Sequence, residues 1–216
     1  MKIKNIITIL IFFVVLVITT LFLLNSGQLM LDREITVIAF GDSLTYGTGV
    51  DSSDSYPSQL QEKLKDDDLN VKIINKGVSG ETSAGALARI SEIIELRPDV
   101  VILATGANDG LQRINPEETK NNISNIIKKF NENDIEILFC GMSIVLAHGL
   151  KYSNNFKSIF KDLAKKYNLE FVPFLLKGVT LNPELNIEDG MHPNKEGYKI
   201  VVENIYHHLI SVLKKF

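Results

Sequence analysis

The chain predicts an α/β domain built in three layers, α/β/α, around a five-stranded parallel sheet of flavodoxin-like order 2-1-3-4-5, preceded by one N-terminal transmembrane helix. Three observations carry that expectation. From Ile35 onward, five apolar, β-branched runs alternate with amphipathic stretches. The runs are apolar on both faces, as strands are when helices cover a parallel sheet on both sides. Ahead of the alternation stand 19 consecutive uncharged residues, 6–24, with only three threonines among them.

That first stretch follows Lys2 and Lys4. Its length matches the roughly 20 residues a helix needs to cross a bilayer and exceeds the usual core of a signal peptide. Asn25-Ser26-Gly27 offers no A-x-A cleavage pattern, and no cysteine stands there to accept a lipid. Residues 1–31 are therefore read as an uncleaved signal anchor, with a cleaved signal peptide as the alternative. Lysines precede the span and Asp32-Arg33-Glu34 follows it. The positive-inside rule then leaves the N-terminus in the cytoplasm and the domain, 32–216, outside, membrane-anchored or, after cleavage, secreted.

The strands are expected at 35–40, 71–75, 100–105, 136–141 and 169–174. Between them, Leu87, Ile90 and Ile94 recur at helical spacing, as do Ile123, Ile126, Ile127 and Phe130. Asn115-Pro116-Glu117-Glu118 reads as a helix start, with asparagine as cap, proline in the first turn and acids at the positive end of the dipole. Phe156, Ile159, Phe160, Leu163 and Tyr167 form another stripe. Tyr198, Val201, Val202, Ile205, Leu209 and Val212 mark the last helix, after Pro193-Asn194. Right-handed crossovers restrict the order in which such strands can pair.

At 216 residues, 45% hydrophobic and 23% charged, the composition is that of a globular chain large enough for one full core. The net charge is −3, and more negative once the two N-terminal lysines are set aside, which argues against nucleic acid as a partner. The single cysteine, Cys140, excludes an internal disulfide and reads as a buried structural thiol. There is no CxxC and no zinc-type histidine spacing, and a monomer is expected.

The strand ends carry the chemistry. The first runs into Gly41-Asp42-Ser43, the second into Lys76-Gly77-Val78-Ser79-Gly80-Glu81-Thr82, the third into Gly106-Ala107-Asn108-Asp109-Gly110. In a parallel sheet these turns share one edge, and strands 1 and 3 flank the switch point where ligands bind. Near the C-terminus, Asp189 and His192 stand three residues apart across Gly190, so that the carboxylate can address the imidazole. A serine needs a base to take its proton, the base needs a group to hold its tautomer, and the oxyanion needs N–H donors. Ser43 suits the nucleophile, His192 the base and Asp189 the orienter. The backbone N–H groups of Ser43 and Gly80 and the side-chain amide of Asn108 suit the oxyanion hole. Each residue also has a plainer reading as cap or turn former. It is their convergence on one edge that turns the reading toward catalysis.

Gly41-Asp42-Ser43-Leu44, Ser79-Gly80-Glu81-Thr82, Gly106-Ala107-Asn108-Asp109-Gly110 and Asp189-Gly190-Met191-His192-Pro193-Asn194 resemble, in order, the four sequence blocks of the SGNH (GDSL) hydrolases. The chain is most similar to their thioesterase/lysophospholipase-type esterases. The resemblance implies serine esterase chemistry with no cofactor and no metal. It also fits the absence of Gly-x-Ser-x-Gly.

The loop after strand 4 should lie at the same edge. Its Ile144, Val145 and Leu146, with Leu111 and Ile114, could wall an acyl-chain groove or simply pack that loop onto the sheet. His148 has no role that the sequence assigns. A small acyl ester or thioester, such as a lysophospholipid, is the first substrate class. Removal of O-acetyl groups from a surface polysaccharide is the alternative, and a catalytically silent membrane-tethered binding module is a third reading. The absence of tryptophan and the aliphatic run at 144–146 lean toward acyl chains.

Overall fold

Five strands pair in parallel: β1 (Ile35–Gly41), β2 (Val71–Gly77), β3 (Val100–Ala104), β4 (Glu136–Cys140) and β5 (Glu170–Val172), in the order β2-β1-β3-β4-β5. This computed structural model describes residues 12–16, 19, 33–144 and 148–216. The strand order is the one predicted. All of β3 is buried, and so are Val37 to Gly41 of β1. Such two-faced apolar strands leave water only when helices lie on both sides.

The helices are α1 (Ser43–Tyr46), α2 (Tyr56–Asp66), α3 (Ser83–Ala88), α4 (Ile90–Glu95), α5 (Ala107–Leu111), α6 (Pro116–Asn131), α7 (Leu150–Tyr167) and α8 (Lys195–Leu213). α2 packs with α8 on one face of the sheet, while α3, α4, α6 and α7 form the layer on the other. Right-handed crossovers require this division, since the chain moves one way from β1 to β2 and the other way from β2 through β5. α6 begins as its sequence dictates: Asn115 Oδ1 accepts the Glu117 N–H at 3.0 Å, and Pro116 needs no acceptor. It buries Ile123, Ile126, Ile127 and Phe130. α8 starts from Asn194, whose Oδ1 accepts the Gly197 N–H at 3.0 Å, and buries the six apolar positions that the sequence marks.

Two elements differ from expectation. The helix through Leu87, Ile90 and Ile94 is broken into α3 and α4 at Arg89, which leaves helical geometry at φ −103° and ψ 11°. β5 is three residues long, shorter than the expected 169–174. The Leu169 N–H is spent on the Ala164 carbonyl, closing α7 behind the left-handed Asn168, and Pro173 has no N–H to give a ladder. Cys140 is fully buried on β4, where desolvation pushes its thiol far up, as befits an inert core side chain.

The expected membrane span lies largely outside the described residues. Among the described residues no helix is long and apolar enough to cross a membrane.

Candidate active site

β1 ends at Gly41, in register with Gly77 of β2 on one side and Ala104 of β3 on the other. The strands meet here so closely that a Cβ on Gly41 would stand 2.2 Å from the Ala104 carbonyl oxygen. The chain then turns into α1 with Asp42 as cap, its Oδ1 accepting the Leu44 N–H at 3.0 Å. Ser43 is thus the first residue of a helix, and its N–H is among those a helix leaves without an intrahelical acceptor.

Asp42 is wholly buried, and its Oδ2 has no hydrogen-bond partner among the described residues. Burial pushes its carboxyl up to about 7, against the pull of the Leu44 N–H and of His192.

The second half of the site arrives from the far end of the chain. An antiparallel bridge between Asn186 and Pro193 folds the segment back, and Gly190 turns it at φ +69°. Asp189 Oδ1 accepts the N–H groups of Met191 at 2.8 Å and His192 at 2.9 Å. Its Oδ2 lies 2.5 Å from His192 Nδ1, and His192 Nε2 lies 2.8 Å from Ser43 Oγ. A carboxylate on Nδ1 places the ring proton there and leaves Nε2 free to accept from the serine hydroxyl. Partial burial raises the Asp189 carboxyl, but hydrogen bonds from the His192 ring and from the two backbone N–H groups outweigh it and hold the group below the usual carboxylate range.

Gly80 stands in the turn after β2 at φ +80°, a left-handed conformation that glycine adopts without strain, and a Cβ there would meet nothing within 4 Å. Asn108 sits in the first turn of α5. One N–H of its amide goes to the Glu81 carbonyl oxygen at 2.9 Å, which leaves the amide a second donor. Its neighbour Asp109 is fully buried: Oδ2 accepts the Ser83 N–H at 2.7 Å, while Oδ1 accepts the Thr119 hydroxyl at 3.1 Å and the Ser83 hydroxyl. The turn bearing Asn108 is thereby tied to the start of α3, just after Gly80. Nothing in the sequence pattern marked Asp109 for this, since its worth lies in being buried beside Ser83.

Ser43, Gly80, Asn108 and His192 open on one pocket of about 440 Å³. Leu44, Leu111, Ile144, Leu176, Leu181 and Met191 supply most of its apolar lining. Leu111 and Ile144 are two of the five wall residues expected from the sequence; Val145 and Leu146 lie outside the described residues. Ile114 does not line the pocket. It is half-buried, its backbone N–H on the Asp109 carbonyl and its own carbonyl accepting from Tyr152 Oη at 2.6 Å. His148 holds the Leu111 carbonyl through Nε2 at 3.0 Å. Leu176 and Leu181 escaped the sequence reading, although the rule that loops after strands share one edge extends to the loop after β5. A second cavity of about 480 Å³, lined by Ile94, Arg97 and Pro98 among others, sits at the opposite edge and contains no nucleophile. Among the described residues no cluster of His, Cys, Asp and Glu could hold a metal ion.

A hydroxyl on an imidazole, the imidazole on a carboxylate, and N–H donors around an apolar pocket are the equipment for acyl transfer to serine. Fold and site together define a serine ester hydrolase. The chain belongs to the GDSL-like lipase/acylhydrolase family, whose profile matches residues 39–200. It is 30% identical over 178 residues to an arylesterase of Vibrio mimicus, covering 82% of this chain and 89% of that one. It is 28% identical to the thioesterase 1/protease 1/lysophospholipase of Escherichia coli, over 78% of this chain and 80% of the relative. A crystal structure of TesA superposes with a TM-score of 0.78 at 28% identity, over 83% of this chain and 99% of the other.

Proposed function

We propose that the protein hydrolyses small acyl esters or thioesters, lysophospholipids among them, with Ser43 as nucleophile. The observation that carries this reading is the unbroken line from Asp189 through His192 to Ser43, opening on a pocket lined mainly by aliphatic side chains. In the proposed reaction Ser43 Oγ attacks the acyl carbonyl carbon while His192 Nε2 takes the hydroxyl proton. The tetrahedral oxyanion forms among the N–H groups of Ser43 and Gly80 and the free amide N–H of Asn108. His192 then returns the proton to the departing alcohol or thiol, leaving an acyl-serine. Water attacks that ester with the same base, the acid departs, and Ser43 regains its proton. Asp189 stays ionised throughout, held low by its three donors, and balances the imidazolium.

The lining supports acyl chains over polysaccharide O-acetyl groups, since a sugar wants an aromatic platform. Among the described residues this wall has no Phe, Tyr or Trp and exposes mainly Leu44, Leu111, Leu176, Leu181 and Met191 beside Ser79, Ser143 and Thr180. The names of the two relatives given above, arylesterase and thioesterase/lysophospholipase, are in keeping with acyl-ester chemistry, while a more distant relative named acetylxylan esterase is what favours the O-acetyl reading as the second one. A fluorophosphonate probe tests the reading: wild-type protein should be tagged and Ser43→Ala should not. Folded wild type that escapes tagging would refute it.

We further propose that residues 1–31 remain attached as a signal anchor, so that a monomeric domain, 32–216, works outside the cytoplasmic membrane. The apolar run at 6–24 and the lysines before it support this.

A further inference from the structure

Arg89 stands at the break between α3 and α4 and points back at the strand ends. Its Nε donates to Glu81 Oε1 at 2.6 Å and its Nη2 to Glu81 Oε2 at 2.7 Å, a two-pronged pairing. The same Nη2 donates to the Lys76 carbonyl oxygen at 2.9 Å and lies 3.4 Å from the Gly41 carbonyl oxygen. The guanidinium carbon sits 4.4 Å from the centre of the Phe40 ring. The side chains of Arg89 and Glu81 are only 15% and 7% exposed, and neither lines the pocket.

These contacts fall on two of the three segments that carry the proposed oxyanion donors, and reach the third, that of Asn108, only through Glu81. Gly41 lies two residues before Ser43. Lys76 is the penultimate residue of β2, just ahead of the turn that bears Gly80. Glu81 follows Gly80 directly, and its carbonyl oxygen holds the Asn108 amide at 2.9 Å. One planar cation therefore fixes the end of β1, the end of β2 and the glycine turn against one another, and through Glu81 it sets where Asn108 can aim. A lysine ammonium could not replace it, because a point charge cannot meet both carboxylate oxygens and two carbonyls in one plane.

We infer that Arg89 is a positioning residue for the oxyanion hole, acting through Glu81 on Gly80 and Asn108; this rests on the oxyanion role proposed above for those two residues. Donors held by such a fork need no reorganisation when charge develops on the substrate oxygen. A purely structural ion pair would instead affect the fraction folded and leave the turnover of folded enzyme alone.

The test is a double-mutant cycle on p-nitrophenyl ester hydrolysis, with thermal melts on every variant. Arg89→Lys should lower kcat by about tenfold to a hundredfold with KM unchanged, the size expected when reacting groups move by an ångström or so. Asn108→Ala alone should cost about 10²–10³ in kcat. The double variant should lose little more than Asn108→Ala alone, since both substitutions disable the same donor set. Losses that multiply, or an Arg89→Lys enzyme that melts lower yet turns over normally, would overturn the inference while leaving the hydrolase reading intact. An Asn108→Ala cost below about tenfold would overturn the oxyanion reading itself, and this inference with it. Should Arg89→Lys not fold, Glu81→Gln takes its place, because it keeps the backbone carbonyl and one side-chain acceptor. Its kcat should fall by about three- to tenfold and couple to Asn108 in the same way, and the absence of coupling overturns the inference.

Discussion

Asp42 is a residue whose chemistry is set by its surroundings. It caps α1 one position before Ser43, with one oxygen on the Leu44 N–H and the other, fully buried, without a hydrogen-bond partner among the described residues. With its carboxyl pushed up from 3.8 to about 7, the folded protein keeps a proton there that the unfolded chain has already released. Stability therefore falls as pH rises through that window, and the full penalty is present above it. Asp189 runs the other way: held below its ordinary value, it contributes stability above about pH 3.8 that is lost as pH falls. Asp42→Asn removes the first effect only. Thermal melts of wild type and Asp42→Asn, taken from about pH 5 to pH 8, should show the variant gaining on wild type as pH rises. Parallel curves would exclude a raised Asp42. At this scale the residues proposed to do chemistry at their tips, Ser43, Asp189, His192 and Asn108, stood out in the sequence only by converging on one sheet edge, each alone reading equally well as a cap or turn former. Asp42, Glu81, Arg89 and Asp109 did not, since a carboxylate or guanidinium reads as solvated until the fold shows that it is buried.

Elements position the site through backbone contact. The end of β1 lies against β3 with no room for a side chain: a Cβ on Gly41 would also stand 2.4 Å from Thr45 Oγ1. The Ala104 carbonyl cannot yield, since it is backbone of a central strand, whereas the Thr45 hydroxyl is a side-chain atom that could turn only at the expense of its contact with Tyr56 Oη. Gly41→Ala should cost about 1–3 kcal/mol, the usual range for overpacking a rigid site. In a domain of this size that lowers the melting temperature by several degrees. Because the strain falls at the switch point, kcat should drop as well; a variant with unchanged melting point and turnover would show that the two strands can separate freely. Strand and helix starts followed local chemistry and were readable, as Asn115-Pro116 and Pro193-Asn194 illustrate. Ends and breaks were less so. The interruption at Arg89 leaves the apolar period of Leu87, Ile90 and Ile94 intact, so periodicity could not reveal it.

For the whole molecule, the proposed anchor makes the sharpest claim. If residues 1–31 stay attached, the full-length protein should remain in the membrane pellet after alkaline carbonate washing and should be digested by protease added to cells whose cytoplasmic membrane is intact. Release into the soluble fraction with a shortened N-terminus would favour cleavage instead. The sequence alone determined the alternation of strands and helices and the edge on which Ser43, Gly80, Asn108 and His192 gather, and it narrowed the sheet order to a few, of which the favoured one, β2-β1-β3-β4-β5, is the order found. Burial patterns are local, and crossover handedness is general, so neither needs coordinates. The tertiary structure decided what depends on distance between residues far apart in the chain. It set the 2.8 Å from His192 to Ser43, left Ile114 out of the pocket, brought Leu176 and Leu181 into it, and gathered the ends of β1 and β2 and the turn after β2 around Arg89. Side-chain direction and desolvation follow from packing, and packing is a property of the assembled fold rather than of any one stretch.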